Sequence, residues 1–428
     1  MAKVKKKLAI IGTGISGLGL ASIVADSYDI QVFERESRLG GHSRTIDIDT
    51  PSDTGGNKVP VDTGFIVFNK RTYPLLTKLF EHLNVPLVES EMTFGATIKD
   101  GWLEYCTDVP WGLVAQKKNL LRPKYWRFIW DIVRFEKRAK PYLNSKSDKT
   151  LKEFLDELPC GDWFKKYFVF AMGGAIWSMP TERMKSFPAS SFLRFFDNHS
   201  LLSVSGQPQW YSVKGGSREY VEKLSQPFSD KISLSRGVVS VERLAEGVRV
   251  TDTAGKAEIF DKVAFACHSD QALAMIKEPT LDEFEVLGKL AYGPNTAITH
   301  TDTNFMPKRK KAWASWIYQS STRDERDAKG ISLSYWMNSL QKLPTPKDIF
   351  VSLNPGRKPD PGKTLDEKDF EHPQFSTEFI QAQTRIPEIQ GKDRLWFCGA
   401  YCGYGFHEDG LRSAIDLAAR LGCRPNWL

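Results

Sequence analysis

Residues 7–45 read KLAIIGTGISGLGLASIVADSYDIQVFERESRLGGHSRT, and this stretch decides the fold. It opens with a short apolar run, residues 7–11, which is typical of a buried strand. The run leads directly into Gly12, Gly14 and Gly17, the G-x-G-x-x-G spacing of a dinucleotide-binding turn. We therefore expect a helix that begins near Ser16 and directs its N-terminal N–H groups at a diphosphate.

A second predicted strand, residues 30–33, ends at Glu34, which lies 22 residues after Gly12. An acidic residue about 20 positions beyond the first glycine accepts hydrogen bonds from the adenosine ribose hydroxyls. Strand, glycine turn, helix, strand and acid thus follow in order. The alternative is a glycine-containing turn of the same shape that binds no ligand.

The end of this stretch indicates which dinucleotide is bound. Arg38, Gly40, Gly41 and Thr45 follow the pattern R-x-G-G-x-x-x-T. The pattern resembles the second signature of FAD-binding enzymes of the amine oxidase and phytoene desaturase superfamily, which implies FAD rather than NAD. That superfamily usually has arginine directly after the glycine pair, whereas this sequence has His42.

The resemblance implies an α/β fold, with a Rossmann-like FAD-binding domain of the amine oxidase type and an interleaved α+β substrate domain. The FAD-binding domain is expected to be discontinuous, with residues 1–75, 205–288 and 380–428. Residues 76–204 and 289–379 are assigned to the substrate domain.

Later segments of the chain resemble the same superfamily. VKGGS at residues 213–217 is similar to the step that returns to the flavin domain, and residues 394–421 are similar to its last flavin segment. A helix that begins at His407 would point its positive end at the flavin, where negative charge accumulates on reduction. The residues implied to hold FAD are Gly12, Gly14, Ser16, Gly17, Glu34, Arg35, Arg38, Gly40, Gly41, His42, Ser43, Gly64, Phe65, Val238, Gly399, Ala400, Phe406, His407 and Glu408.

Three departures argue against an ordinary amine oxidase. Many amine oxidases have a lysine near flavin N5, but the corresponding strand, residues 297–301, contains none. The last tyrosine of their aromatic amine cage falls at about Phe406. The acidic residue that usually follows the glycine of the last strand is Ala400.

Several longer phrases, namely HSDQAL, HTDTNFMP, AWASW, SYWMN and CGAYCGYGFHEDGL, are together similar to a distinct group of amine oxidase-like flavoproteins. That group resembles the N-terminal half of plant cyclopropane fatty acid synthases. The resemblance implies dehydrogenation of a modified fatty acyl chain by hydride transfer to flavin N5, with a lipid methyltransferase as a partner. The alternatives are a flavin-containing amine oxidase and a non-catalytic flavoprotein partner of a lipid methyltransferase.

Dehydrogenation also needs a base within about 3 Å of the proton that leaves. His300 and His407 are the candidates by family placement and chemistry. The alternative for each is a structural hydrogen-bonding role.

Residues 111–143 carry nine Lys or Arg residues and two acidic residues, a local balance equal to the +7 of the whole chain. Aromatic residues are interleaved with these charges, as on a helix that lies at a lipid interface. The alternative is a solvated helix face that packs on its own domain. The aromatic residues Trp313, Trp316, Tyr335 and Trp336 either line an apolar cavity or belong to the core.

Composition sets broader limits. The chain has 428 residues and six cysteines, and the cysteines do not follow a metal-ligand spacing. We therefore expect reduced thiols and no metal site. No nucleic-acid motif accompanies the basic charge, so we expect a small-molecule or lipid substrate. The basic and apolar N-terminus mimics a signal peptide, but cleavage there would destroy the glycine turn. We expect a cytoplasmic protein with peripheral membrane contact, because no other run reaches the ~20 apolar residues of a membrane span.

Overall fold

The computed structural model describes residues 4–50, 58–108, 111–143, 149–177, 179–199, 201–202, 206–320 and 332–428. Its strands are β1 Lys7–Ile11, β2 Asp29–Phe33, β3 Thr45–Asp49, β4 Lys58–Asp62, β5 Phe68–Asn69, β6 Leu87–Ser90, β7 Phe94–Ile98, β8 Leu103–Cys106, β9 Trp210–Val213, β10 Ile232–Ser233, β11 Val238–Arg243, β12 Val248–Asp252, β13 Ala257–Phe260, β14 Lys262–Phe265, β15 Tyr292–His300, β16 Trp316–Ser320, β17 Ser332–Trp336, β18 Phe350–Leu353, β19 Thr364–Pro373 and β20 Leu395–Phe397. Its α-helices are α1 Ile15–Val24, α2 Pro74–His82, α3 Pro123–Ala139, α4 Leu151–Glu157, α5 Asp162–Phe164, α6 Phe170–Trp177, α7 Thr181–Lys185, α8 Ala189–Asn198, α9 Arg218–Ser225, α10 Ser269–Met275, α11 Leu281–Leu287, α12 Met337–Gln341, α13 Thr377–Ile389 and α14 His407–Arg420.

A parallel sheet in the order β10-β2-β1-β14-β20 forms the base of the dinucleotide-binding region. Leu8, Ala9 and Ile10 of its central strand are fully buried, which explains why β1 is apolar without alternation. Helix α1 follows β1 directly and packs against α14, and Ser16 Oγ donates to Gly410 O over 2.9 Å. The Rossmann-like α/β fold predicted from the sequence is confirmed.

A second, seven-stranded sheet has the order β19-β15-β18-β17-β16-β7-β8. Its strands come from residues 94–106 and 292–373, and helices α3 to α8 occupy residues 123–198. These segments lie within the ranges assigned to the substrate domain, whose exact bounds stay a prediction. A third, antiparallel sheet has the order β11-β12-β13.

Asp62 joins three segments that are distant in the sequence. Its carboxylate is 1 % exposed and accepts hydrogen bonds from Thr45 Oγ1 (2.6 Å), Ser217 N (2.9 Å) and Gln341 Nε2 (2.8 Å). Burial raises the pKa of Asp62 to about 6, and the surrounding hydroxyl and N–H donors oppose this shift. The carboxylate therefore holds the turn before α9 and the end of α12 against β4.

Within the described part of the chain, no helix is both long and apolar enough to cross a bilayer.

We expect Asp62→Asn to lower the free energy of unfolding by about 1–3 kcal/mol, because the amide NH2 would face donors whichever way it turned. Asp47→Asn is the matched control, since Asp47 pairs with Arg218 at a partly exposed site and should change stability by less than about 1 kcal/mol. Chemical denaturation of both variants checks this expectation. Equal effects of the two substitutions would contradict it.

Candidate active site

One cavity of about 1380 Å³ lies between the two sheets. Its walls come from the carboxyl ends of β1 and β2, from β19, from helices α3, α6 and α8, and from the loop before α14. Ligand pockets usually occupy about 300–1,000 Å³. The cavity is therefore larger than a single ligand normally fills, and it has two chemically different ends.

The glycine turn forms the floor of the first end. Gly14 is the N-cap of α1, and no side chain caps the helix there, so its first N–H groups are free to bind a ligand. A Cβ placed on Gly14 would meet no protein atom within 4 Å, which means that the side facing the cavity is open. This uncapped helix terminus with room beside it fits a diphosphate.

Gly17 has a different purpose from Gly14. A Cβ on Gly17 would lie 1.9 Å from the Gly12 carbonyl oxygen, so only glycine lets α1 pack this closely on the strand turn. Gly17 does not stand among the residues that line the cavity, and its contact with the cofactor stays a prediction. Gly12 itself adopts a φ of +108°, a conformation that strongly favours glycine.

Glu34 holds a fixed position at the end of β2. One carboxylate oxygen accepts from the backbone N–H and the hydroxyl of Thr13, and the other accepts from Glu36 N over 2.9 Å. The oxygen that accepts from Glu36 N keeps acceptor capacity for a ligand hydroxyl. Glu34 lines the cavity, as the ribose assignment requires.

The glycine pair and His42 form the wall beside the turn. Arg38 donates to Gly41 O over 2.8 Å and pairs with Glu36, which fixes the loop. The predicted cofactor residues that line the cavity are Gly12, Gly14, Ser16, Glu34, Arg35, Arg38, Gly40, Gly41, His42, Gly64, Phe65, Val238, Gly399, Ala400, Phe406 and His407.

His42 belongs to a cluster of three imidazoles. Its ring centre lies 5.9 Å from that of His268 and 5.3 Å from that of His372. Burial lowers the pKa of all three residues, to about 3 for His268 and His372. The cluster is therefore neutral at pH 7, at the position where the related superfamily usually carries a charged arginine.

His268 and His372 were missed by sequence reasoning as site residues. His268 stands in the phrase HSDQAL, which gave a family signal but no site signal. His372 reaches the cavity because β19 pairs with β15 and places it opposite Gly293. That register is a long-range property that no local pattern in the sequence reveals.

His407 lines the cavity at the N-terminus of α14. Its Nε2 lies 2.8 Å from Ser43 Oγ and 3.3 Å from the Tyr220 hydroxyl, and its ring stacks on Phe65 with centres 3.8 Å apart. Burial lowers the pKa of His407 to about 3, and a general base is most effective with a pKa near the working pH. These contacts give His407 a structural role, and its catalytic role stays a prediction.

Ser43 and Glu408 do not stand among the residues that line the cavity, and their contacts with the cofactor stay predictions. Ser43 lies behind His407, where its hydroxyl bonds both His407 and Tyr220. The Glu408 carboxylate turns away to accept from the N–H groups of Leu75 and Leu76 at the start of α2.

His300 also does not stand among the residues that line the cavity, and its catalytic role stays a prediction. The side chain is fully buried in the seven-stranded sheet. Its Nε2 lies 2.8 Å from Ser352 Oγ, and its Nδ1 accepts from Asp302 N over 3.1 Å. Both ring nitrogens are therefore engaged within the protein, and burial lowers the pKa of His300 to about 4.

The second end of the cavity is apolar. Trp316 and Tyr335 line this end, in agreement with one of the two interpretations of the sequence. Trp313 and Trp336 instead pack with Phe350 in a separate cluster. The apolar and aromatic residues of this end are Met92, Phe94, Leu113, Ile129, Ile132, Val133, Phe168, Met172, Ile176, Trp177, Phe195, Leu201, Leu202, Trp210, Trp316, Tyr335 and Leu353.

Residues 15–422 match the family of flavin-containing amine oxidoreductases. The chain belongs to this family. FAD is therefore the cofactor and the protein is an FAD-dependent oxidoreductase, which confirms the prediction made from the glycine signatures. The uncapped α1, the open side of Gly14 and the acceptor Glu34 fit that cofactor.

Solved structures show the same fold over nearly the whole length of this oxidoreductase. A fatty acid isomerase from P. acnes that produces CLA is 13% identical, with a TM-score of 0.67, over 97% of this chain and 98% of that chain. A putative protoporphyrinogen oxidase from Exiguobacterium sp. 255-15 is 16% identical, with a TM-score of 0.67 and the same coverages. Cyclohexylamine oxidase from Brevibacterium oxydans IH-35A is 14% identical, with a TM-score of 0.65, over 98% of this chain and 100% of that chain. No curated protein matches the sequence significantly.

Two alanine substitutions separate the glycine that serves the fold from the glycine that serves the cofactor. Gly14→Ala should leave the thermal stability of the FAD-free protein nearly unchanged but lower FAD affinity at least about tenfold, because its methyl group enters the cofactor space. Gly17→Ala should destabilise the FAD-free protein by about 1–3 kcal/mol or more, because its methyl group clashes with backbone. Thermal unfolding and FAD titration check both variants, and the reverse pattern would contradict the assignment.

Proposed function

We propose that this oxidoreductase dehydrogenates a modified fatty acyl chain and belongs to the group that resembles the N-terminal half of plant cyclopropane fatty acid synthases. Bound FAD supplies the acceptor for the hydride that leaves the substrate carbon. The protein supplies the pocket that orients the chain and an environment from which water is excluded.

The apolar end of the cavity is the observation that carries this proposal. Each CH2 group buried there gains about 0.8 kcal/mol, so a chain-shaped substrate is bound along its length. No Asp or Glu stands among the described residues that line this end. A substrate ammonium would lose its hydration there without gaining a countercharge.

The carboxylates of the cavity lie at its other end. Glu34 and Glu36 lie near the glycine turn, and Asp369 lies on strand β19. Lys368, the neighbour of Asp369, pairs with Glu36 with 2.9 Å between Nζ and Oε1. Strand β19 also carries Phe370, whose ring centre is 5.1 Å from that of His42. The acidic groups therefore surround the cofactor space rather than the acyl space.

Phe406 supports the same conclusion at the junction of the two ends. It stands where amine oxidases are expected to have a cage tyrosine, and its ring packs on Phe195 with centres 5.0 Å apart. The side chain presents hydrocarbon where an amine site would present a hydroxyl. The likeness to a CLA-producing fatty acid isomerase supports an acyl substrate for this architecture.

Formation of the double bond releases a proton as well as the hydride. Of the two predicted bases, His407 is the one that lines the cavity, and its neutral imidazole is adjacent to the hydroxyls of Ser43 and Tyr220. In this proposal His407 accepts the proton only transiently, because burial keeps the pKa of its imidazole low, and the two hydroxyls hold its ring in place.

The alternative substrate class is an amine, which is favoured by the likeness to cyclohexylamine oxidase and to putrescine oxidase variants. The resemblance to the cyclopropane synthase group also suggests a lipid methyltransferase as partner, with this protein either oxidising its product or serving as a non-catalytic flavoprotein. Turnover of lipid without a partner separates these two roles.

Mass spectrometry of lipids incubated with the FAD-loaded protein and oxygen tests the proposal. Methyl-branched or cyclopropane phospholipids should lose two hydrogens from one acyl chain. Ile176→Asp, which places a charge in the apolar end, should lower this rate at least about tenfold, whereas Ile176→Val should retain most of it. Oxidation of a panel of amines with no change in any lipid would contradict the proposal.

A further inference from the structure

The exposed face of helix α3 continues into the apolar end of the cavity. We propose that this face docks on anionic phospholipid bilayers and delivers the acyl chain directly from the membrane. Delivery of substrate rests on the proposed function, whereas docking does not. The docking face consists of Trp111, Lys117, Lys118, Leu120, Leu121, Lys124, Trp126, Arg127, Trp130, Val133, Arg134, Arg309, Lys310 and Lys311.

Large apolar side chains are exposed along this face. Leu121 is 86% exposed, Trp111 is 68% exposed, and Trp126 and Val133 are each 55% exposed. Trp126, Trp130 and Val133 share one side of α3, and an exposed apolar patch of this kind marks an interaction site. Tryptophan and leucine beside lysine and arginine are typical of a helix that lies in a membrane interface.

The geometry of α3 shows that the exposed residues do not belong to the core. Trp126, Trp130 and Val133 follow a spacing of four and three, so they lie on one side of the helix. The opposite side, with Phe128 and Phe135, is buried in the protein. Packing within the protein explains the apolar residues on the buried side of α3. It does not explain the exposed apolar residues on the other side.

Basic residues from a second, distant segment complete the face. Lys117 and Lys118 line a surface cleft together with Arg309, Lys310 and Lys311. The two segments are brought together where β8 and the turn around Lys310 contact each other. The sequence pattern of residues 111–143 did not predict this convergence, which adds Lys310, Lys311 and Arg309 to the face, although Arg309 pairs with the Glu104 carboxylate.

Negative charge is nearly absent from the exposed part of this face. Within residues 111–134 the sole carboxylate is that of Asp131, which is fully buried and accepts from Arg127, Arg138 and the N–H of Gly161. Basic clusters beside apolar side chains are attracted to anionic lipid head groups. This charge complementarity identifies an anionic bilayer as the partner.

The docking face also reaches the cavity. Ile129, Ile132 and Val133 of α3 line the apolar end, and Val133 is at the same time exposed to solvent. The cavity therefore opens next to the stripe formed by Trp126 and Trp130. An acyl chain that leaves a bilayer here would pass from lipid to apolar protein with little contact with water.

Sedimentation of the FAD-loaded full chain with vesicles tests docking. Vesicles of phosphatidylcholine and phosphatidylglycerol should bind the protein at least tenfold more tightly than vesicles of phosphatidylcholine alone, and high salt should weaken binding. The double variant Trp126→Ser, Trp130→Ser should lose at least tenfold in affinity. The matched control Leu281→Ser, Phe284→Ser removes equally exposed apolar residues of α11 and should bind as the unsubstituted chain does.

Bound flavin absorbance and thermal unfolding show that each variant is folded. Equal binding to both vesicle types, binding to neither, or equal losses in the two double variants would overturn docking. Delivery from the membrane is supported if the Trp126→Ser, Trp130→Ser variant oxidises detergent-dispersed lipid normally but oxidises vesicle lipid poorly. If vesicles bind as expected and no lipid is oxidised in any form, the proposed function fails while docking stands.

Discussion

The structure depends on one close contact, that of helix α1 with the strand turn before it. Gly17 touches the Gly12 carbonyl so closely that no side chain fits between them. This contact brings the N-terminus of α1 to the carboxyl end of β1, where no side chain caps the helix and its N–H groups are free for a diphosphate. Helix α14 is fixed on α1 through Ser16 and Gly410, so its own N-terminus faces the same cavity.

A second constraint separates the chemistry of the two ends of the cavity. The Asp, Glu, Lys and Arg residues that line the cavity belong to the segment after β2 and to strand β19, which crosses next to Glu36 and His42. Helices α3, α6 and α8 and the seven-stranded sheet give the other end apolar walls. A charged cofactor and an apolar chain can therefore occupy adjacent parts of one cavity, with Phe406 and His407 at the junction.

Local patterns predicted the parts of this site that are local in the chain. The glycine turn, Glu34 and the helix at His407 each follow from residues within one segment. The partners of Ser43 and Glu408, which are Tyr220 and the start of α2, come close only by folding, so no local pattern reveals these contacts. The surroundings of His300 are equally non-local, since the pairing of β15 with β18 turns its ring toward Ser352. The basic cleft with Arg309 and Lys310 likewise combines two segments that no sequence window contains together.

An anaerobic absorbance titration of the FAD-loaded protein tests most directly whether the cavity holds the flavin beside an acyl chain. Methyl-branched or cyclopropane phospholipids should bleach the flavin band near ~450 nm in proportion to the lipid added, because a two-electron acceptor next to the chain is reduced once per turnover. Amines added under the same conditions should leave the band unchanged. Bleaching by amines, with none by any lipid, would contradict the account.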